Sequence, residues 1–414
     1  MKIIHAADLH IDSPLRGLSK YEGAPAAAMR GATRRAFSKL IDTCIREQAS
    51  LLLLVGDIYD GDSRDYNTAA FFNAELARLR EAGTRVVLLL GNHDAASILT
   101  KTLPLPPHAT LLDEKAPQTL ILEDLGVAVH GQSFAKKVVN DDLAARYPTA
   151  VPGLFNIGML HTSLDGREGH GPYAPTTPSV LQRLGYDYFA LGHVHAREIV
   201  STAPYIAYPG NLQGRHAKET GPKGALLVEV AESRRQVERV TPVECDVLRW
   251  AVVRSDVTSA RHRDDVIEAA RRDVLQAAEA AGDRPLAARL IITGETSESD
   301  HLRAARDYVE HALRSSLGHA AADIWLEKVL FDTRSLPAKG NGGKSGDAVK
   351  RELLRLIAEG CPDPASMAAA AYGSLPVDAR REDEHEGSSR EFFESIVEDA
   401  RALLLSRLEV HRED

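Results

Sequence analysis

The sequence predicts an α/β protein: a layered sandwich of mixed sheets flanked by helices, then a small α/β domain, then a helical C-terminal segment. Three observations carry this. Through residues 1–244, apolar runs of strand length alternate with stretches whose apolar residues recur at helical spacing. The alternation restarts at 245 and runs to 335. Beyond a Gly-, Lys- and Ser-containing linker at 336–347, residues 348–414 read as helices only.

Lys2–Ala7 reads as the first strand. Phe37, Leu40, Ile41, Cys44 and Ile45 then recur at helical spacing, and Leu51–Val55 has the length of a buried strand. A second helix, about Thr68–Ala82, is closed by Gly83 and followed by the strand Arg85–Leu90. Thr119–Leu122, Val127–His130, Phe155–Leu160, Tyr188–Leu191, Ala225–Val230 and Gln236–Val240 read as further strands. In the second domain, strands at Leu248–Val253, Ala287–Thr293 and Ile324–Phe331 alternate with helices at Asp264–Ala281 and His301–Ser316. The last helix opens on Ser388-Ser389-Arg390-Glu391, a capping-box pattern. It carries Phe393, Ile396, Val397, Ala400, Leu403 and Leu404 on one face.

A chain of 414 residues exceeds one ordinary domain, and 44% hydrophobic with 26% charged residues is a globular composition. No apolar run approaches the roughly eighteen residues that cross a bilayer, so no membrane association is expected. Asp8 interrupts any signal-peptide core. Cys44, Cys245 and Cys361 are odd in number and far apart, which argues for reduced thiols and a cytoplasmic location rather than a disulfide framework or a cysteine zinc site. The net charge of −9 is uneven: residues 1–244 hold 26 Lys and Arg against 27 Asp and Glu, residues 245–414 hold 24 against 32. Any attraction for a polyanion must therefore come from a local patch or from bound cations in the near-neutral front part.

Five short motifs stand in order in the first domain: Asp8-Leu9-His10, Gly56-Asp57, Gly91-Asn92-His93-Asp94, His161 and Gly192-His193-Val194-His195. Each follows an apolar run that reads as a strand, and loops at the carboxyl ends of neighbouring strands converge on one rim of a sheet. Singly, each motif has a bland reading; Gly-Asp after a strand is ordinarily a turn. Jointly, Asp8, His10, Asp57, Asn92, His161, His193 and His195 offer carboxylate, amide oxygen and imidazole without thiolate. That set favours Mn²⁺ or Fe²⁺, with Zn²⁺ also compatible. Seven ligands are too many for one ion and suit two that share a bridging carboxylate, for which Asp57 is the natural choice. In Asp8-Leu9-His10 and His193-Val194-His195 the ligands alternate, so an extended segment is expected to aim both at one point.

These motifs resemble those of the calcineurin-like metallophosphoesterases, over the whole first domain. The resemblance implies a dinuclear centre in which Asp8, His10, Asp57 and His195 hold one divalent ion and Asp57, Asn92, His161 and His193 hold the other. Ala7-Asp8-Leu9-His10-Ile11 is closer to the SbcD-type DNA repair exonucleases than to the superfamily's phosphatases. Asp8–Leu18 (DLHIDSPLRGL), His161–Pro175 (HTSLDGREGHGPYAP) and Tyr208–Gly224 (YPGNLQGRHAKETGPKG) resemble the YhaO-type branch. The implied activity is metal-dependent cleavage of DNA phosphodiester bonds, with two divalent ions, Mn²⁺ first and Fe²⁺, Zn²⁺ or Mg²⁺ also compatible. The implied partners are DNA, a coiled-coil ATPase of the SMC type and a second copy of the chain. Residues 245–335 correspond by position to the family's DNA-capping domain. The same centre acting on small phosphoesters or phosphoproteins, or serving as a metal-holding regulatory subunit of the ATPase, are the alternatives.

Two divalent ions would neutralise a scissile phosphate and acidify a water for in-line attack. His93, next to Asn92, is assigned to protonating or stabilising the departing oxygen, with Asp94 or Asp60 fixing its tautomer. Some relatives carry His at the position of Asp60. Arg215, His216 and Arg16 are candidate contacts to DNA phosphates. Ala338–Ser345 fits a relaxed phosphate-loop pattern, but its place in a linker favours plain flexible chain. His5, within a strand, reads as packed, and His130 and His170 as groups near the site without an assigned role.

Overall fold

In the computed structural model, the residues described are 1–13, 31–60, 65–96, 105–165, 173–231, 236–320, 323–335, 355, 363–373, 393, 397 and 400. Arg16, His170, the 336–347 linker with its phosphate-loop-like stretch and the 388–391 capping box lie outside them. The chain divides into two units, Met1–Ala251 with Asp283–Ala287, and Val252–Gly282 with Ala288–Asp414.

Twelve strands build the first unit: β1 (Lys2–Ala6), β2 (Leu51–Val55), β3 (Arg85–Leu89), β4 (Ala109–Leu111), β5 (Gln118–Leu122), β6 (Val127–Gly131), β7 (Phe155–His161), β8 (Tyr188–Gly192), β9 (Glu198–Thr202), β10 (Tyr205–Tyr208), β11 (Gly224–Ala231) and β12 (Gln236–Glu244). They form two six-stranded sheets, ordered β12-β11-β1-β2-β3-β4 and β5-β6-β7-β8-β10-β9. In each sheet the inner strands run parallel (β1-β2-β3-β4 and β6-β7-β8-β10) and the remaining pairs are antiparallel. Of the parallel strands, β2 and β8 are buried throughout and read as near-continuous apolar runs, as central parallel strands require.

Alternation sorts side chains into layers. Ile4, Ala6, Leu52, Leu54, Val86 and Leu88 pack against Phe37, Leu40 and Ile41 of helix α1 (Ala32–Arg46) and Phe72, Leu76 and Leu79 of α2 (Tyr66–Glu81). The opposite faces, with Ile3, Leu51, Leu53, Val55, Val87 and Leu89, meet Val127, Val129, Phe155, Ile157, Met159 and Tyr188 of the second sheet. That sheet's far face, with Leu160, Phe189, Leu191, Ile206 and Tyr208, is covered by Phe134, Leu143, Tyr147, Leu181 and Tyr186. Helix, sheet, sheet and an irregular outer layer form the expected sandwich. His5 is packed between the sheets, with Nδ1 2.9 Å from the Tyr188 hydroxyl and Nε2 3.1 Å from the Leu191 carbonyl. His130 is likewise held between Thr119 and Asn156, at 2.9 and 3.0 Å.

Two short helices follow strands of this unit, α3 (Asn92–Ala96) and α4 (Pro178–Arg183). The second sheet system is three-stranded, with β13 (Arg249–Asp256), β14 (Leu286–Thr296) and β15 (Ile324–Ser335) in sequential order. Helix α5 (Arg263–Ala281) lies between β13 and β14 in the chain. The single helix expected at His301–Ser316 is two, α6 (Ser299–Ala304) and α7 (Arg306–Ala320), interrupted at Ala305. Across the second unit's sheet, the Arg289 guanidinium makes a paired contact with Glu327 at 2.8 and 2.9 Å. A last described helix, α8, spans Pro364–Gly373.

Candidate metal centre

The five predicted motifs all leave parallel strands at their carboxyl ends, and backbone hydrogen bonds lock the resulting loops together. Asp8 N–H donates to the Gly56 carbonyl at 3.1 Å and His10 N–H to the Asp57 carbonyl at 3.0 Å. Three of the motifs place a glycine before the candidate ligand because the next loop presses on it. A Cβ on Gly56 would lie 2.4 Å from His161 Nδ1, one on Gly91 2.3 Å from Asp57 Oδ1, and one on Gly192 2.0 Å from the Val55 carbonyl. No side chain fits at those distances. Asp8, His10, Asp57 and His193 themselves hold left-handed backbone, with φ of 53°, 43°, 50° and 98°. This corrects the expectation that Asp8 and His10 sit on an extended segment: the chain curls in the left-handed region to bring both inward. Such strain in non-glycine residues concentrates at functional sites.

All seven side chains meet. Asp8, His10 and His195 present donor atoms within 4.8 Å of one another, as do Asp57, His161 and His193. His10 and His195 bring their Nε2 atoms to 3.3 Å. Asn92 Oδ1 lies 3.0 Å from His161 Nε2 and 3.2 Å from His193 Nδ1. Between the two groups stands Asp57, whose Oδ2 is 3.9 Å from His10 Nε2 and 3.5 Å from His161 Nε2. Its other oxygen accepts from the His93 backbone N–H at 2.9 Å. Asp8 is fixed in turn by the His193 N–H, 3.0 and 3.1 Å from its two oxygens.

The far ring nitrogens are anchored. His161 Nδ1 faces the Val55 carbonyl at 3.1 Å, His10 Nδ1 faces Asp60 Oδ1 at 3.1 Å, and His195 Nδ1 faces Glu219 Oε1 at 2.6 Å. A carbonyl or carboxylate there takes the Nδ1–H and leaves Nε2 with a lone pair, the arrangement that orients histidines toward metals. The inward-facing set is then mostly acceptors: three Nε2 atoms, Asn92 Oδ1 and the Asp8 and Asp57 carboxylates. Acceptors this close repel unless positive charge lies among them. The donor set therefore fits divalent cations, and its lack of sulfur fits Mn²⁺- or Fe²⁺-type ions.

Electrostatics agree. Burial disfavours a charge on His161, yet the Asp57 and Asp8 carboxylates outweigh it and raise the pKa. Burial likewise pushes Asp8 up, against the pull of His195 and His161. Asp57 is held well below the ordinary carboxylate range: burial raises it, but the imidazoles of His161, His10 and His93 prevail. His10 is lowered to about 4 by burial and by the Arg215 charge.

The remaining predicted residues separate. His93 lies at the rim, 38% exposed, with Nδ1 3.4 Å from Asp60 Oδ1 and its ring 5.0 Å from that of His10. Asp94 is fully buried, and its carboxylate accepts from the N–H groups of Ile58, Tyr59 and Gly91 at 2.9, 3.0 and 3.0 Å. It clamps the Asp57 loop to the Asn92 loop. Arg215 lies beside the centre, its guanidinium 3.3 Å from Ser13 Oγ and 3.6 Å from both Asp60 and Glu219. His216 is 45% exposed, with Nε2 3.5 Å from Glu219. The motifs do not reveal Glu219 or Lys223, whose Nζ donates to the His195 carbonyl at 2.8 Å. Neither belongs to a strand-end motif, and only the length of the Tyr208–Gly224 resemblance points to that loop.

Stacked α/β layers carrying a histidine, carboxylate and asparagine cluster at their parallel strand ends define a metallophosphoesterase. The model of the calcineurin-like phosphoesterases matches residues 1–197, and that of the metallophosphoesterase YhaO middle domain matches residues 250–334. The chain belongs to the calcineurin-like metallophosphoesterase family, whose members are metal-dependent hydrolases. It is 34% identical over 302 residues to the uncharacterized metallophosphoesterase YhaO of Bacillus subtilis, covering 72% of this chain and 73% of that protein. It is 28% identical to the DNA double-strand break repair protein Mre11 of Aeropyrum pernix, covering 58% of this chain and 60% of that one. With the D component of the SbcCD nuclease of Escherichia coli it shares 27% identity over 63% of this chain and 72% of that protein. Among the described residues no helix is long and apolar enough to cross a membrane.

Proposed function

We propose that the chain is a Mn²⁺-dependent two-metal phosphodiesterase that cleaves DNA, as an exonuclease, an endonuclease or both. The single observation that carries the two-metal reading is the position of Asp57 Oδ2, 3.9 Å from His10 Nε2 and 3.5 Å from His161 Nε2. One oxygen thus faces both ligand groups, as a bridging carboxylate must. Asp8, His10, Asp57 and His195 would hold one ion, and Asp57, Asn92, His161 and His193 the other. Bound there, two divalent ions supply charge neutralisation at a phosphate and a water acidic enough to attack near neutral pH.

The chain's own groups do the rest. Asp60 Oδ1, 3.4 Å from His93 Nδ1, is placed to orient that ring so that Nε2 is the atom that serves the departing oxygen. Asp94 keeps the His93 loop in register with Asp57. DNA as substrate is supported by the likeness to proteins named for DNA repair and nuclease activity, and by the YhaO middle-domain match over residues 250–334. An SMC-type coiled-coil ATPase docked on the C-terminal segment and a homodimer are the proposed partners.

The test is cleavage of end-labelled duplex and single-stranded DNA with Mn²⁺, Mg²⁺ or chelator, beside turnover of bis-p-nitrophenyl phosphate and its monoester. The expected result is Mn²⁺-dependent DNA cleavage and diester turnover, both abolished in Asp57→Ala. Turnover of the monoester alone would replace the nuclease with a phosphatase.

A further inference from the structure

The two imidazoles that face each other at 3.3 Å, His10 and His195, are backed by two different carboxylates, Asp60 at 3.1 Å and Glu219 at 2.6 Å. One guanidinium joins those carboxylates: Arg215 lies 3.6 Å from Asp60 Oδ1 and 3.6 Å from Glu219 Oε1. The side chains close a ring running His10, Asp60, Arg215, Glu219, His195. Glu219 is only 6% exposed, and its second oxygen accepts from the Arg215 backbone N–H at 2.7 Å and from Asn211 Nδ2 at 2.9 Å. Arg215 itself is 16% exposed, too enclosed to lie along a duplex backbone as a solvated phosphate contact would.

We infer that Glu219 and Arg215 are positioning residues for the ion shared by His10 and His195, Glu219 fixing His195 directly and Arg215 tying it to Asp60. The inference rests on the two-metal reading above and reassigns Arg215 from substrate binding to site construction. The chemistry is general: a buried carboxylate on the remote nitrogen of a ligating imidazole fixes its tautomer and raises its basicity, and its loss costs roughly 10–100-fold in metal affinity. A guanidinium between two such carboxylates fixes their separation.

The experiment is titration of the metal-stripped protein with Mn²⁺ alone, by calorimetry and by electron paramagnetic resonance, in parallel with DNA binding across a salt series. The expected result is two ions in the wild type, one lost in His195→Ala, and one site weakened about 10–100-fold in Glu219→Ala. Glu219→Gln keeps an acceptor for His195 and is expected to recover part of that affinity; it also serves if the alanine variant does not fold. Arg215→Met should weaken the same site and change its spin-coupling signal, while the salt dependence of DNA binding stays that of the wild type. A salt slope lowered by about 0.9 in Arg215→Met with both sites intact would return Arg215 to phosphate binding and overturn the inference. So would unchanged affinities and spectra in both Glu219 variants. Fewer than two ions in the wild type, or no effect of His195→Ala, would instead bring down the metal-centre reading and the inference with it.

Discussion

Gly91 and Asp57 approach so closely that a methyl group on Gly91 would lie 2.3 Å from the Asp57 carboxylate and 2.8 Å from the His161 ring. The glycine is there for space. Gly91→Ala should displace Asp57, the residue facing both ligand groups, and overpacking of this kind costs about 1–3 kcal/mol. Gly126, at φ 66°, has nothing within 4 Å of its missing Cβ, so Gly126→Ala meets backbone strain alone. Thermal melts should register both variants, whereas Mn²⁺ binding and phosphodiester turnover should fail in Gly91→Ala only. Equal turnover in the two would mean that Asp57 does not need its present position.

Asp57→Asn keeps the shape and removes the charge. Because Asp57 faces both groups, both ions should be weakened together, by more than the roughly 10–100-fold typical of a residue outside the ligand set. Calorimetry with Mn²⁺ decides this. Loss of one ion with the other intact would deny Asp57 its shared role.

The His93 ring presents a donor atom within 4.8 Å of those of His10 and Asp60, but it is the His93 backbone N–H that holds Asp57, so the ring is expected to be separable from metal binding. His93→Gln should bind Mn²⁺ as the wild type does, while diester cleavage falls by about 10²–10⁴-fold, the contribution of a positioned proton donor. Single-turnover cleavage beside a metal titration separates the two. A variant that loses its metal would make His93 a ligand.

Asp94 has a structural consequence of its own. Its carboxylate ties three backbone N–H groups on two loops, so Asp94→Ala leaves buried donors unsatisfied, at about 1–3 kcal/mol for such a group. Urea denaturation should show the loss even in metal-free protein. A variant as stable as the wild type but catalytically dead would shift Asp94 toward the chemistry.

His5 sets an expected acid dependence of stability. Burial, only partly offset by the Leu191 carbonyl, lowers its pKa from 6.5 to about 3 in the folded protein. Below pH 6.5 the unfolded chain takes up a proton that the folded one refuses, so this contribution is complete above that pH and lost as pH falls toward 3. The loss is at most roughly 4–5 kcal/mol. Denaturation at several pH values should find a shallower slope between pH 6 and 4 in His5→Gln. Identical slopes would place the titrating groups elsewhere.

The candidate ligands are legible because each follows an apolar run that does become a strand: Lys2–Ala6 before Asp8, Leu51–Val55 before Asp57, Arg85–Leu89 before Asn92. Alternation places those strands to within a residue or two. It passes over Ala109–Leu111 and Tyr205–Tyr208, which are three and four residues long, and Glu198–Thr202, which is exposed or half-buried throughout and so lacks a strong apolar signal. The left-handed turns at Asp8 and His10 are not legible either: Asp and His tolerate that backbone better than most residues but rarely adopt it, and the sequence does not show where the neighbouring loops impose it. Glu219 is hidden for a related reason. Its role arises only once the chain folds back on His195, and a lone glutamate in a loop carries no periodic or spacing signal.

Strand β1 has one neighbour, β2, from early in the chain and the other, β11, from residues 224–231. A ribosome must therefore release more than two hundred residues before the strand leading to Asp8 and His10 is flanked on both sides. His193, His195 and Glu219 emerge only shortly before that. Until then the nascent polypeptide lacks members of the candidate metal centre, so a chain aborted before His193 cannot assemble it.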